Sequence, residues 1–131
     1  MNIVLHRVYD PELLGNEKRA LRILRILVDR MWPRGIAKAA ATWDVWLKDI
    51  APSAALRQWF AHDREKWQEF QQRYTAELDA APAAVAELQR LCKDHDTVVF
   101  LYAAKDQDCN NAVVLKAYLE SLPLRQAPPG P

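Results

Sequence analysis

The period of the hydrophobic pattern changes several times along this chain, and each change marks an element. Ile3-Val4-Leu5, with Val8 and Tyr9, reads as a short first strand stopped by Asp10-Pro11. The segment from Glu12 to Arg22 fits neither period: Gly15-Asn16 suggests a turn, and Glu17 to Arg22 a helical turn or the lead-in to a strand. Ile23-Leu24-Arg25-Ile26-Leu27-Val28 is short and almost continuously apolar, the pattern of a strand covered on both faces, with Arg25 its one discord. Pro33 and Gly35 prevent its continuation. The period then becomes helical. Thr42 is placed to cap a helix carrying Trp43, Trp46, Leu47 and Ile50, and Ser53 a second carrying Leu56, Trp59 and Phe60. Asp63 is placed to cap a third, with Trp67, Phe70, Tyr74 and Leu78 in one stripe. After Ala80-Ala81-Pro82 a fourth helix sets Val85, Leu88, Leu91 and Cys92 inward. Thr97 to Ala104 is apolar throughout and belongs at the centre of a sheet. A last helix is predicted from near Asp108, buried through Val113, Val114, Ala117, Tyr118 and Leu122.

This order predicts an α/β domain: a small, mostly parallel sheet of about three strands flanked by about five helices. One domain spans residues 1–122, and the proline-rich stretch 123–131 reads as a flexible tail. The two covered strands are most simply parallel, joined by a right-handed helical crossover. Their ends then emerge on one edge of the sheet, and Arg30 to Lys38 faces Lys105 to Asn111 across a crevice. Open α/β sheets bind their ligands at such an edge.

Composition narrows the classes. Eighteen basic residues face 17 acidic ones for a net charge of +1, which argues against broad, charge-driven binding to nucleic acid. No apolar run approaches the roughly 18 residues of a membrane span, and the N-terminus lacks the apolar core of a signal peptide. Cys92 and Cys109 lie far apart in no metal-binding spacing, so no metal is expected, and free thiols fit a cytoplasmic setting. With only three glycines, no glycine-rich phosphate cradle can be built, and no motif names a cofactor.

From Arg30 to Trp43 the chain has three basic residues and no acidic one. Arg30, Arg34 and Lys38 are candidates to bind a small anion, because the guanidinium fork matches carboxylate and phosphate. Across the crevice, Asp106-Gln107-Asp108-Cys109-Asn110-Asn111 opens the last helix, and Asp108 is placed to cap it. Asn110 and Asn111 are poor first-turn residues, which points to a specific hydrogen bond, either to the neighbouring loop or to a ligand. Asp29 and Asp106 are the candidates for any acid–base chemistry, with His62 beside Asp63 and the thiol of Cys109 as weaker ones. The chain is tryptophan-rich: Trp32, Trp43, Trp46, Trp59 and Trp67 fall within 36 residues. Aromatics at helical spacing are usually core. Trp32-Pro33 reads as a plug over the core or as a stacking wall for a planar ligand.

Read together, these segments resemble the YeaO-like proteins, a widespread group of small bacterial domains. The resemblance rests on Arg7-Val8-Tyr9-Asp10, on Leu27-Val28-Asp29-Arg30-Met31-Trp32-Pro33-Arg34-Gly35-Ile36 with Lys38, and on Trp46-Leu47-Lys48 with Ala51-Pro52-Ser53. Further on it is carried by Leu56-Arg57, Trp59-Phe60, His62-Asp63, Trp67 with Phe70, Tyr74 with Glu77-Leu78, and Leu101 to Asp106 with Asn110-Asn111-Ala112. It implies a compact α/β domain and brings no activity with it. Wider relatives carry a Cys-His-Arg cluster where this chain has Cys109-Asn110-Asn111, and Glu17 to Arg25 departs from their short Gly-Arg lead-in. Two readings of function follow. One is a domain that binds a small anion, with or without turnover. The other is an interaction or regulatory module that uses the basic loop and the tryptophans as a contact surface for protein or nucleic acid.

Overall fold

The computed structural model describes residues 2–10 and 23–125. Glu12 to Arg22, read ambiguously from sequence, lies outside them, as do residues 126–131 of the expected tail. Four strands, β1 (Asn2–Arg7), β2 (Ile23–Leu27), β3 (Val45–Trp46) and β4 (Thr97–Tyr102), form one sheet in the order β1-β4-β2-β3. All its pairings are parallel, with Leu5 opposite Phe100, Ile26 opposite Phe100, and Leu27 opposite Trp46. Four α-helices accompany it: α1 (Ala54–Phe60), α2 (Trp67–Asp79), α3 (Pro82–Lys93) and α4 (Asn111–Arg125). None is long and apolar enough to cross a membrane among the described residues.

The strands alternate their side chains between two faces. Leu24, Ile26, Val98, Phe100 and Tyr102 point to a large core shared with all four helices, which therefore cover one face. Ile23, Leu27, Val99 and Leu101 point the other way, against Val8, Ile36, Trp43 and Trp46. Every residue of β2 and β4 is buried, Arg25 included at 3% exposure. Both strands are thus interior, as their unbroken apolar runs predict, and the central pair is parallel.

The helix predicted behind Thr42 does not form. Trp43, Trp46, Leu47 and Ile50 have helical spacing, but Val45 and Trp46 are captured as β3 by the edge of β2. The Asp44 amide donates to the Arg25 carbonyl (2.8 Å) and the Leu47 amide to the Leu27 carbonyl (3.1 Å), and only a short 3-10 helix, Lys48–Ile50, follows. This adds a strand and removes a helix from the expected count.

The caps at Ser53 and Asp63 are present. Ser53 Oγ accepts from the Leu56 amide (3.1 Å), and Asp63 accepts from the Glu65 amide (2.9 Å) at a 3-10 turn that leads into α2. Glu77 of α2 secures the first cap from outside, its carboxylate accepting from the Ser53 amide (2.8 Å) and hydroxyl (2.6 Å). The last helix starts at Asn111 rather than near Asp108. Its buried stripe is Ala112, Val114, Leu115, Tyr118, Leu119 and Leu122, with Ala117 exposed. It runs through Arg125, past the Pro123 at which composition places the start of the tail.

Candidate functional site

Because β1, β2 and β4 are parallel, the segments that follow them open on one edge of the sheet. The turn after β1 brings Arg7 and Tyr9, the loop after β2 brings Asp29 to Arg34, and the loop after β4 brings Ala103 to Asn111. They surround a cavity of about 890 Å³, whose remaining wall comes from Pro52, Arg57, Phe60, His62 and Phe70. The crevice expected between the two distant loops is present.

The loop after β2 owes its shape to its sequence. The Ile36 amide reaches the Pro33 carbonyl (3.4 Å), and Gly35 has φ +82°, which fits the third position of a type II turn and is strained for any other residue. Trp32 Nε1 donates to the Ile36 carbonyl (2.6 Å), and the Trp32 ring meets Trp43 (4.7 Å between centroids) and Trp46 (5.6 Å) edge to face. This aromatic cluster covers the sheet face that has no helix, so Trp32 is packed into the fold while also bordering the cavity. Trp46 Nε1 donates to the Asp29 carbonyl (2.8 Å), which fixes the root of the loop to β3.

Asp29 stands where the two loops meet. One carboxylate oxygen accepts from the Ala103 amide (2.9 Å) and the other from Asn111 Nδ2 (3.1 Å), which also donates to the Val28 carbonyl (3.0 Å). Burial pushes the Asp29 carboxyl above its ordinary range. The Ala103 and Asn111 hydrogen bonds, then the positive charge of Arg57 and His62, pull it back in part.

The other candidates divide by what they already hold. Arg30 lines the cavity, but its Nε donates to the Pro52 carbonyl (3.0 Å) and a terminal nitrogen to the Ala51 carbonyl (3.3 Å), tying the loop to the start of α1. Asn110 is 2% exposed. It takes the capping role expected of Asp108: its Oδ1 accepts from the Val113 amide (3.1 Å) and its Nδ2 donates to the Asp106 carbonyl (2.9 Å). Asp106 gathers its own loop, accepting from the Asp108 (2.9 Å) and Cys109 (3.0 Å) amides, and forms a bidentate pair with Arg64 (2.8 Å twice). These contacts, the Asp108 amide first, hold the Asp106 carboxyl below the usual range.

Arg34 is exposed at the rim, and among the described residues its guanidinium makes no hydrogen bond or ion pair. His62 borders the cavity from a left-handed backbone at φ +58°, next to Ala61 at +46°, conformations that residues other than glycine seldom take. Lys38 lies outside the cavity in the exposed 3-10 helix Lys38–Ala40, because the turn at Gly35 carries the chain away from the rim. Cys109 is buried and does not line the cavity, and burial followed by the Asp106 charge pushes its thiol up. Cys92 is also a free, buried thiol, pushed up to about 11. No group of three or more His, Cys, Asp or Glu among the described residues is placed to hold a metal.

Two basic residues at the cavity escape a reading centred on the two loops. Arg7 follows the same rule as its neighbours, being at the C-terminal end of a parallel strand, and β1 would have revealed it. Arg57 sits in the last turn of α1, exposed, with no hydrogen bond or ion pair among the described residues. Only its place in the Leu56-Arg57 segment of the family pattern marked it.

Comparison with known proteins places the chain more firmly than its resemblance alone. The family described as the inactive DUF488-N3 subclade matches residues 2–129. The chain is 38% identical over 122 residues to the uncharacterized protein YeaO of Escherichia coli, covering 93% of this chain and 100% of that protein. Over 67 residues it is 49% identical to the uncharacterized proteins Rv3073c of Mycobacterium tuberculosis and Mb3100c of Mycobacterium bovis, spanning 51% of this chain and 56% of each relative. No solved structure matches the chain significantly.

Proposed function

This chain belongs to the family described as the inactive DUF488-N3 subclade and is a relative of YeaO, and on that premise we propose that its crevice binds a small anion bearing phosphate or carboxylate and holds it without turnover. The observation that carries this reading is the charge around the cavity. Arg7, Arg30, Arg34, Arg57 and Lys105 border it against only Asp29 and Asp106, and both acids are already engaged by protein hydrogen bonds. Arg34 and Arg57 are the contacts for the anion, with His62 beside them. Arg30, Asn110 and Asn111 shape the site instead of touching the ligand, since Arg30 Nε and one terminal nitrogen, both polar atoms of the Asn110 amide and Asn111 Nδ2 are committed to the protein. Absence of turnover is supported by the subclade's description as inactive and by Cys109, a buried thiol held away from its reactive form.

The test is titration of the protein with inorganic phosphate, followed by NMR of backbone amides and arginine side chains. Arg34→Ala and Arg57→Ala each weaken binding about tenfold, the worth of one charge-assisted contact, while the melting temperature stays unchanged because both side chains are exposed. Phosphate at millimolar concentration that shifts no resonance of the crevice, or affinity that both variants leave intact, refutes the reading.

A further inference from the structure

The rim of the crevice carries a second kind of surface. Among the described residues, Tyr9 (42%) and Met31 (57%) are the large hydrophobic side chains that stand exposed, and both border this cavity. Single exposed apolar residues are ordinary, but two that converge on one cavity are informative. The Tyr9 ring is also held in place. Its hydroxyl donates to the Arg34 carbonyl (2.7 Å), and the Arg7 guanidinium lies 4.8 Å from the ring centroid. It is thus an aromatic platform anchored to the backbone of Arg34, whose side chain lines the same cavity. Deeper in, Phe60, Phe70 and Pro52 continue the apolar wall. A bare phosphate would engage the arginines and occupy a small part of about 890 Å³, whereas cavities of this size suit drug-sized molecules with apolar bodies.

We propose that the ligand is an aromatic anion: a phosphate or carboxylate carried on a planar ring system, with the charged group toward Arg34 and Arg57 and the ring against Tyr9 and Met31. This rests on the anion-binding reading above and specifies its ligand class. The two rim side chains select for aromaticity and not merely for apolar area. A tyrosine ring favours offset or edge contact with another ring, a methionine thioether makes favourable sulfur–aromatic contacts, and the Arg7 cation on Tyr9 extends the stack.

Calorimetric titration of the full chain with inorganic phosphate, n-hexyl phosphate and phenyl phosphate tests the proposal, because the last two carry six carbons each and differ in planarity. Phenyl phosphate is expected to bind about tenfold or more tightly than inorganic phosphate, and more tightly than n-hexyl phosphate. Met31→Ala, at an exposed position, removes much of that advantage and leaves inorganic phosphate unaffected. Phenyl phosphate no tighter than inorganic phosphate, n-hexyl phosphate equal to phenyl phosphate, or a Met31→Ala variant that weakens all three alike overturns the proposal. In those cases phosphate binding that is still lost in Arg57→Ala leaves the anion site standing, whereas silence of all three ligands removes both readings.

Discussion

Replacing Asn111 by alanine tests the link that holds the two loops of the crevice together. The Asn111 amide donates to the Val28 carbonyl and to the Asp29 carboxylate. Losing the first costs about 1 kcal/mol and the second, to a charged acceptor, about 1.5–3 kcal/mol. Alanine returns about 0.5 kcal/mol through its better helix propensity at the start of α4. The net loss is about 2–3.5 kcal/mol, which for a domain of this size lowers the melting temperature by about 10 °C. The larger part depends on the charge of Asp29. Burial holds that carboxyl above its ordinary 3.8, so near pH 4 much of it is protonated in the folded state and the charge-assisted contact is weakened. Urea unfolding of wild type and Asn111→Ala at pH 7 and near pH 4 measures both parts: the destabilisation is expected to be smaller at the acidic end. A loss below about 0.5 kcal/mol at pH 7 means that the amide contributes little to joining the loops. An equal loss at both pH values means that its bond to Asp29 does not depend on charge. Either result refutes the reasoning.

Asp29 itself gives a pH signature. Because its folded-state pKa is raised, the stability it contributes is full below about 3.8 and declines as pH rises through the raised value. Asp29→Asn cannot titrate, so its urea midpoint gains on wild type as pH increases through that window, and a constant difference from pH 4 to 7 counts against a buried, titrating carboxyl. Asp106 has the opposite sign: its pKa is depressed, so its contribution is present above the ordinary carboxylate value and lost as pH falls through the depressed one. Arg64→Ala is expected to raise the Asp106 pKa measured by carboxyl-carbon NMR while leaving it below 3.8, since the Asp108 amide is the largest cause. An unchanged value, or one above 3.8, contradicts that order of causes.

What could be read from sequence is what depends on local period and on caps. β2 and β4 announce themselves because residues buried on both faces leave an unbroken apolar run, and Ser53 and Asp63 announce helix starts because their side chains serve amides two or three residues ahead. From the parallel pairing of those strands the crevice follows, with Asp29, Arg30, Arg34, Asp106, Asn110 and Asn111 on its lining. β3 was illegible because a two-residue strand has no period of its own. Its ladder is supplied by β2, and its tryptophan serves a sheet face that no helix covers. The capping residue of α4 could not be told from sequence because Asp108 and Asn110 are equally good caps. The turn around Asp106 decides between them. Nor could composition separate Arg30 from Arg34. Their chemistry is the same, and only the position of the Ala51 and Pro52 carbonyls commits the first to structure.

That division of labour bears on how a site with few acids can remain folded. Cations crowded at one sheet edge repel each other, and a loop carrying them gains by swinging outward. Here Arg7 is held by the Ala104 carbonyl (3.1 Å), Arg30 by two carbonyls near α1, and Arg64 by Asp106. Each of these contacts joins different elements, so the charges that are neutralised or hydrogen-bonded are also those that fasten the loops. Asp29 and Asn111 complete the frame by joining the end of β2 to the segment after β4 and to the start of α4. Arg34 and Arg57 are left outside this frame, carried by elements that the others have fixed. On the proposed reading, an anion would therefore meet guanidinium groups on a scaffold that is already ordered, and most of the loop-ordering cost would fall in folding rather than in binding.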